Sequence, residues 1–170
     1  MKLLFIIISF TGFTELHAQN KSNDTTARYF LIQASIGNLQ EAAIGKLTTK
    51  KSVNPDVKAF ATQMVTDHTS SEIQLMQVIR STGIQIPSEA TDTPVENLML
   101  KNTAGKDFDC MYVHMMVSGH RETVQLFENY ALVGKNPIVR AFAQQALPML
   151  KKHLAAIIVI DDNINTASAK

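Results

Sequence analysis

Three histidines occupy positions where imidazole chemistry could take place inside a helical protein. His68, His120 and His153 lie on three different stretches of the 170-residue chain, and in each stretch the apolar residues recur at helical spacing. Neutral imidazole nitrogens are common ligands of transition metals, and carboxylates often complete the coordination shell. The first hypothesis is therefore a metal site built from histidines on separate helices.

A rotation of 100° per residue predicts where each of these side chains points. His68 lies at the centre of the apolar stripe of the second predicted helix, and Glu72, about 40° away, shares its core-facing side. His153 lies about 30° from the mean direction of the stripe on the last helix. His120 lies at the flank of the stripe on the third helix, whereas His114 points away from it and is expected to face solvent.

The first predicted helix offers one carboxylate, Glu41, in a less favourable position. The main apolar stripe of this helix is predicted at Ile32, Ile36, Leu39, Ala43 and Leu47. Glu41 lies off that stripe, beside Phe30, Ala34 and Gly45, which form a second apolar strip that is expected to face a neighbouring helix. Gly37 and Gly45 would allow two helix backbones to approach closely.

The residues alone leave two interpretations of the histidines open. In the first they bind one transition-metal ion, Zn²⁺, Cu²⁺ or Fe²⁺, and in the second they are core residues hydrogen-bonded to Tyr112, Tyr130, Glu72 or a backbone carbonyl. The first predicts a metal-binding protein, and the second a structural or protein-interaction module without a metal. The sequence contains no Glu-x-x-His, the pair that recurs in di-iron carboxylate bundles, so an oxidase is disfavoured.

Composition and missing motifs argue against several other classes of function. The sequence has no Gly-x-Ser-x-Gly elbow, phosphate loop or dinucleotide fingerprint, so an enzyme is less expected than a binding or structural protein. A net charge of +1 gives no basic surface for nucleic acid. The single cysteine, Cys110, excludes an internal disulfide and any multi-cysteine metal site.

Residues 1–18 have the pattern of a cleavable signal peptide. Lys2 precedes an apolar stretch from Leu3 to Phe13, and cleavage is predicted after Ala18. The stretch is too short to span a bilayer, which needs about 20 residues. We therefore expect a periplasmic or secreted protein with no transmembrane segment after signal removal. Its expected partners are a second copy of the chain or another envelope protein.

An internal repeat predicts how the mature chain folds. The segment from Asn54 to Gln63 matches the segment from Asn136 to Gln145 at seven of ten positions. Both begin with Asn-Pro, in which asparagine is a good N-cap and proline fits the first helical position. Each copy therefore predicts the start of the second helix of a helical hairpin.

The full pattern predicts four long helices in two hairpins. They are expected at about residues 26–50, 55–81, 106–133 and 137–161, with a short helix at 94–102 between the hairpins. The connection between the hairpins is long enough to run the length of a helix. The prediction is an all-α, ferritin-like four-helix bundle made of two helical hairpins joined by a long crossover. It comprises residues 19–161, and residues 162–170 are expected to form a disordered tail.

Several short motifs resemble one known family. They are Glu41-Ala42-Ala43-Ile44-Gly45-Lys46-Leu47, Asn54 to Ala61 continuing to Asp67-His68, Phe108-Asp109-x-x-Tyr112 with His120, and Leu147-Pro148-x-Leu150-x-x-His153. The chain resembles the exported bacterial proteins called domain of unknown function 4142, which are ferritin-like. The resemblance implies a four-helix fold and an envelope location, and no established activity.

The resemblance also implies a set of site residues. These are Glu41, Asp67, His68, Asp109, Tyr112, His120 and His153. The chain departs from the family pattern at Ala43 and Gly119, where the family often has acidic residues. With Glu72 from the helical-wheel argument, these seven residues form the predicted metal-site set.

Overall fold

The computed structural model describes residues 25–88 and 98–168, and five helices account for most of them. They are α1 (Thr25–Lys51), α2 (Pro55–Thr82), α3 (Leu98–Asn102), α4 (Gly105–Val133) and α5 (Pro137–Ser168). These ranges contain no strand, and none of their helices has the length and apolar character needed to cross a membrane. The predicted signal peptide and the first four residues of the predicted short helix lie outside the described residues.

The repeated Asn-Pro motif starts a helix at both places, as the sequence predicts. The side-chain oxygen of Asn54 accepts from the backbone N–H groups of Asp56 and Val57 at the start of α2. The side-chain oxygen of Asn136 accepts from those of Ile138 and Val139 at the start of α5. These bonds satisfy amide groups that have no partner within the first turn of a helix, so the motif fixes where both helices begin.

The four long helices form two antiparallel hairpins, α1 with α2 and α4 with α5. The two middle helices, α2 and α4, run parallel. In the bundle α1 packs beside α2 and α4, and α5 packs beside α4 and α2. The Asp109 carboxylate, near the start of α4, accepts hydrogen bonds from the backbone N–H groups of Val53 and Asn54, just before α2. Because α2 and α4 begin at the same end, the chain between them must return along the bundle. The four-helix bundle with a long crossover is therefore confirmed.

Two apolar clusters fill the bundle, and the histidines lie between them. One cluster contains Phe30, Phe127 and Phe142, whose rings pack within 4.8 to 6.4 Å of one another. The other contains Phe60, Phe108, Tyr112 and Ile157 and fills the end at which α2 and α4 begin. Each of the three histidines lies on its helix between members of the two clusters, as His153 lies between Leu150 and Ile157.

The predicted core face of α1 is wrong. The five residues of the main apolar stripe are only half-buried, whereas Phe30, Ala34, Glu41 and Gly45, on or beside the second strip, are buried. The reason is that the true core face carries polar residues, Ser35 and Asn38 among them, which weaken its apolar character. Gly45 makes the expected close approach to α2, because a Cβ there would lie 3.0 Å from the Ala61 carbonyl oxygen. Gly37 does not, since nothing lies within 4 Å of its Cβ position.

The last helix is longer than the sequence predicts. The expected disordered tail, residues 162–170, is helical as far as Ser168. Ile160 and Ile164, one turn apart, pack against the apolar cluster at the end where α2 and α4 begin. The side chain of Asn165 donates to Asp161, and the hydroxyl of Thr166 donates to the Asp162 carbonyl. Because the other residues of this segment are polar, its composition does not indicate that the half-buried Ile164 packs against the bundle.

Candidate metal centre

Three buried imidazole rings converge at the middle of the bundle. His68 comes from α2, His120 from α4 and His153 from α5, and their ring centroids are 5.4 to 5.9 Å apart. One ring nitrogen of each lies within 4.8 Å of the corresponding nitrogens of the other two. The convergence that the helical spacing predicts is therefore present, and His120 is central rather than at a flank.

In each ring one nitrogen, called the outer nitrogen here, lies beside a hydrogen-bond acceptor, and the other is called the inner nitrogen. His120 Nδ1 donates to the Met116 carbonyl oxygen at 3.0 Å, and His153 Nε2 donates to Asp67 Oδ2 at 2.8 Å. His68 Nδ1 lies 3.1 Å from the side-chain oxygen of Asn38 and donates to it. Each bond assigns the ring proton to the outer nitrogen, so the inner nitrogen of each neutral ring presents a lone pair.

A second layer of contacts fixes the side chain that holds His68. The Asn38 amide nitrogen donates to Glu72 Oε2 at 3.1 Å, and the Ser35 hydroxyl donates to Glu72 Oε1 at 2.7 Å. Because the Asn38 amide group must donate to Glu72, its oxygen is turned toward His68. Sequence reasoning proposed Glu72 as a ligand and missed Asn38 and Ser35. Their spacing with Glu41 on α1, three residues each, is the signal that would have found them.

Glu41 completes the inner group. Its Oε2 lies 2.8 Å from His68 Nε2 and 3.4 Å from His120 Nε2. None of these three atoms, nor His153 Nδ1, has an aligned hydrogen bond to any described residue. Lone pairs that face one another in a buried space repel unless a proton or a metal cation lies among them. This arrangement is the main chemical feature of the centre.

Burial and mutual proximity shift the protonation of the centre. Burial lowers the pKa of His120 and of His153, so both rings favour the neutral form that binds metals. Burial raises the pKa of Glu41, but its interactions with His68 and the other two histidines outweigh burial and hold the pKa below its ordinary value. His120 and His153 therefore favour the neutral form, beside a Glu41 carboxylate that favours the ionised form.

Of the predicted set, Asp109 is not at the centre, and Tyr112 lies near Glu41 without a hydrogen bond to the histidines in the described part of the chain. Asp109 lies eleven residues before His120 on α4, about 16 Å along the helix, and binds the backbone before α2. Tyr112 is buried, and its ring packs 6.4 Å from that of Phe60, which contacts His120 and His153. Burial, followed by the Glu41 charge, raises the pKa of Tyr112 well above its ordinary value, so its hydroxyl stays protonated.

His114 behaves as the sequence predicts. It lies on α4 with the side chain 61% exposed, 3.2 Å from Asp161. It shares a helix with His120 but none of its burial, and therefore provides a matched control for experiments on the centre.

A small cavity reaches Glu41 from one side of the bundle. It encloses about 20 Å³, enough for one water molecule, and Gly37, Asn38, Ser71 and Thr123 are among the residues that line it. Glu41 therefore faces the histidines with one oxygen and lies beside a space that can hold one water molecule.

Comparison with known proteins identifies the family. The model of the family described as "Domain of unknown function (DUF4142)" matches residues 13–159. The chain therefore belongs to this family, and the resemblance inferred from its motifs is confirmed. No curated protein matches the sequence.

Solved structures share the fold at low sequence identity. A putative secreted protein DUF305 from Streptomyces coelicolor is 11% identical with a TM-score of 0.69, covering 85% of this chain and 96% of that one. A DUF305 fragment from Deinococcus radiodurans is 11% identical with a TM-score of 0.66, covering 81% and 96%. A conserved hypothetical protein from Mycobacterium tuberculosis is 12% identical with a TM-score of 0.62, covering 82% and 99%. At such identities the likeness shows the fold alone.

Proposed function

We propose that this member of the DUF4142 family binds one transition-metal ion through His68, His120, His153 and Glu41. The observation that carries the proposal is the group of inner ring nitrogens, each without an aligned partner among the described residues, while each outer nitrogen donates to an acceptor. Histidines that ligate metals almost always donate their other N–H to a carboxylate or carbonyl. All three of these histidines follow that pattern.

The donor set selects a class of ion. Three imidazole nitrogens and one carboxylate oxygen suit Zn²⁺, Fe²⁺ or Cu²⁺, whereas Ca²⁺ and Mg²⁺ prefer all-oxygen shells. Neighbouring ligands of a tetrahedral zinc ion lie roughly 3.4 Å apart, given Zn–N bonds of about 2.0 to 2.1 Å. One ring nitrogen of each histidine lies within 4.8 Å of those of the other two, so the three rings must move closer together to reach that spacing.

The competing hypothesis is a structural or interaction module in which the histidines only hydrogen-bond in the core. It accounts for the outer nitrogens, and a proton between His68 Nε2 and Glu41 Oε2, 2.8 Å apart, would pair those two atoms. It leaves His120 Nε2 and His153 Nδ1 without partners among the described residues. A buried polar atom left without a hydrogen bond costs about 1 to 3 kcal/mol. Two such atoms in one place would be a sizeable cost for a protein whose whole stability is about 5 to 15 kcal/mol.

We propose binding of the ion rather than catalysis as the activity. Structural metal sites have four protein ligands, whereas catalytic sites keep one position open for water or substrate. Three histidines and Glu41 supply all four positions. We propose that the ion enters from the side of the small cavity beside Glu41.

The test is metal analysis of protein prepared without an affinity tag, because a histidine tag would bind metal itself. We expect about one equivalent of Zn²⁺, Fe²⁺ or Cu²⁺ per chain after titration of chelator-treated protein. His120→Ala should remove stoichiometric binding, and the matched control His114→Ala, on the exposed side of α4, should retain it. Circular dichroism confirms that each variant is helical. No stoichiometric binding by the wild type, or unchanged binding by His120→Ala, would refute the proposal.

We also propose that the protein acts in the periplasm or outside the cell. Support comes from the signal-peptide pattern of residues 1–18 and from the secreted-protein description of the Streptomyces coelicolor structure. Expression of the full chain followed by fractionation and N-terminal sequencing tests this. The exported form should begin at Gln19, and an intact N-terminus in the cytoplasmic fraction would contradict it.

A further inference from the structure

The end of the bundle at which α4 ends and α5 begins exposes a group of apolar side chains. Leu132 and Val133 lie just before the three-residue turn between the two helices, and Ile138 lies just after it. Their exposed fractions are 81%, 64% and 45%. Leu132 is more exposed than any other large apolar side chain in the described ranges. We call these three residues the apolar tip.

The amino-terminal segment of the chain joins the bundle at this same end. The ring of Phe30, near the start of α1, stacks on that of Tyr130 with the centroids 4.4 Å apart. Arg28 donates to the carbonyl oxygen of Gln85, just after α2. Residues 1–24 therefore connect to the bundle at the end that carries the apolar tip. A signal peptide with its apolar stretch in the membrane would present this end to the bilayer.

The charged residues around the apolar tip are almost all basic. Residues 25–33, 75–88 and 126–145 form this end, and their single acidic residue, Glu128, lies 2.7 Å from Lys151 and is paired with it. The same ranges contain four basic residues that have no acidic partner in the described part of the chain: Arg28, Arg80, Lys135 and Arg140. Lysine and arginine are cationic at neutral pH, so the apolar tip lies within a cationic surface.

The opposite end of the bundle differs in charge. Val53 and Met99 are exposed there, so apolar exposure alone does not distinguish the two ends. The exposed carboxylates of Asp56, Asp107 and Asp162 offset the neighbouring lysines at that end. The combination of exposed apolar side chains with unpaired positive charge therefore singles out the end that carries the apolar tip.

We propose that this end of the bundle docks on the surface of a membrane that contains anionic lipids. The apolar tip inserts between the headgroups, and the four basic residues lie against the lipid phosphates. A second copy of the chain is a poorer occupant, because a two-fold contact would bring the four cations of one copy against those of the other. The proposal goes beyond metal binding and uses none of the residues of the metal centre.

A tryptophan at the apolar tip tests insertion directly, because the chain has no tryptophan of its own. Leu132→Trp, in the exported form that begins at Gln19, is mixed with vesicles of phosphatidylglycerol and phosphatidylcholine in equal parts. We expect its fluorescence emission to shift to shorter wavelength as the indole ring leaves water for the headgroup region. The matched control Val159→Trp, at an exposed position on the side of α5, should not shift.

Three results of this experiment would overturn the proposal. The first is no shift for Leu132→Trp, and the second is an equal shift at both positions, which would show that the tip is not the docking surface. The third is a shift of Leu132→Trp that grows with protein concentration in the absence of vesicles, which would assign the tip to contact with a second copy.

Co-sedimentation with vesicles tests the charge of the surface. The unsubstituted exported form should bind phosphatidylglycerol-containing vesicles at least about tenfold more tightly than pure phosphatidylcholine vesicles, and high salt should remove the difference. Arg80→Gln combined with Lys135→Gln should lose at least about tenfold in binding to the anionic vesicles. The control, Lys58→Gln combined with Lys106→Gln at the opposite end, should bind as the unsubstituted protein. Equal binding to the two kinds of vesicle, or equal binding of the two double variants, would overturn the proposal.

Discussion

Asp67 and His153 are 86 positions apart in the chain, yet Asp67 Oδ2 lies 2.8 Å from His153 Nε2. This bond joins α2 to α5 at the level of the three core histidines. Asp67 is 30% exposed, whereas His153 is buried, so the carboxylate reaches inward from the edge of the bundle. A carboxylate in this position fixes the ring and makes its other nitrogen a better metal ligand.

Removal of that carboxylate should weaken metal binding without unfolding the protein. Asp67→Ala takes away the acceptor that orients His153, and loss of such a partner typically costs 10- to 100-fold in metal affinity. We expect a loss in that range, measured by competition with a chromophoric chelator. Because the N–H group of the buried His153 loses its acceptor, the metal-free protein should lose about 1 to 3 kcal/mol of unfolding free energy.

The matched control is Asp161→Ala, which removes the carboxylate beside the exposed His114. Its metal affinity should equal that of the wild type. Equal affinities for Asp67→Ala and Asp161→Ala would mean that the Asp67 contact has no part in metal binding.

Metal binding should raise the thermal stability of the chain. An ion that binds only the folded state at a free concentration of 100 times Kd adds about 2.7 kcal/mol to the unfolding free energy. For a domain of this size that corresponds to an increase in Tm of about 5 to 11 °C. Differential scanning calorimetry with Zn²⁺ and with excess chelator measures it.

The variant His120→Ala supplies the comparison, since it lacks one proposed ligand. Its Tm should be the same with metal and with chelator. A wild-type Tm that does not respond to either would instead favour the module with hydrogen-bonded core histidines.

The sequence was sufficient to predict the fold because its signals are local. The Asn-Pro motifs at Asn54 and Asn136 mark helix starts through hydrogen bonds within one turn. The three core histidines could be found because each lies on or beside an apolar stripe. Helix spacing therefore predicted both the bundle and the convergence of imidazoles from three helices.

The rest of the centre could not be read from apolar periodicity. On α1 the buried face carries Ser35, Asn38 and Glu41, and a scale that rewards apolar residues assigns the core to the opposite side. Asp109, in contrast, was included in the predicted site set because it belongs to a family motif. In the structure its partners are the backbone amides before α2. Hydrogen bonds between distant segments decide both cases, and the spacing of apolar residues does not encode them.

The metal-free protein should lose stability as the pH falls below about 6.5. Burial holds the pKa values of His120 and His153 below the ordinary histidine value, so the unfolded chain takes up protons first on acidification. Their contribution to the unfolding free energy is fully present above about pH 6.5. It is lost as the pH falls through the pKa values that the two histidines have in the folded state. Each histidine contributes at most about 1.4 kcal/mol per pH unit.

Two carboxylates modify this dependence. The lowered pKa of Glu41 adds a further loss below about pH 4.5. Burial raises the pKa of Glu72, despite its bonds from Ser35 and Asn38, so this group favours the fold at low pH and opposes the trend. Urea unfolding of chelator-treated protein between pH 5 and 8 measures the net slope. His120→Gln should reduce the slope of unfolding free energy against pH by the equivalent of about one proton. An unchanged slope would contradict the assignment to His120.

Two glycines of α1, eight residues apart, should respond to alanine in opposite directions. A Cβ at Gly45 would lie 2.9 Å from Val65 Cγ2 and 3.0 Å from the Ala61 carbonyl oxygen, and the latter belongs to the backbone of α2 and cannot move cheaply. Gly45→Ala should therefore force the two helices apart and cost about 1 to 3 kcal/mol.

At Gly37 a Cβ would have nothing within 4 Å, so Gly37→Ala gains helix propensity without a clash. We expect it to stabilise the protein by about 0.5 to 1 kcal/mol. Urea unfolding of both variants, with metal removed, measures the two effects on one helix in one experiment. If both alanines stabilised the protein, α1 and α2 would not be in close backbone contact at Gly45. The position of Glu41, one turn earlier on the same helix, would then no longer be fixed against His68.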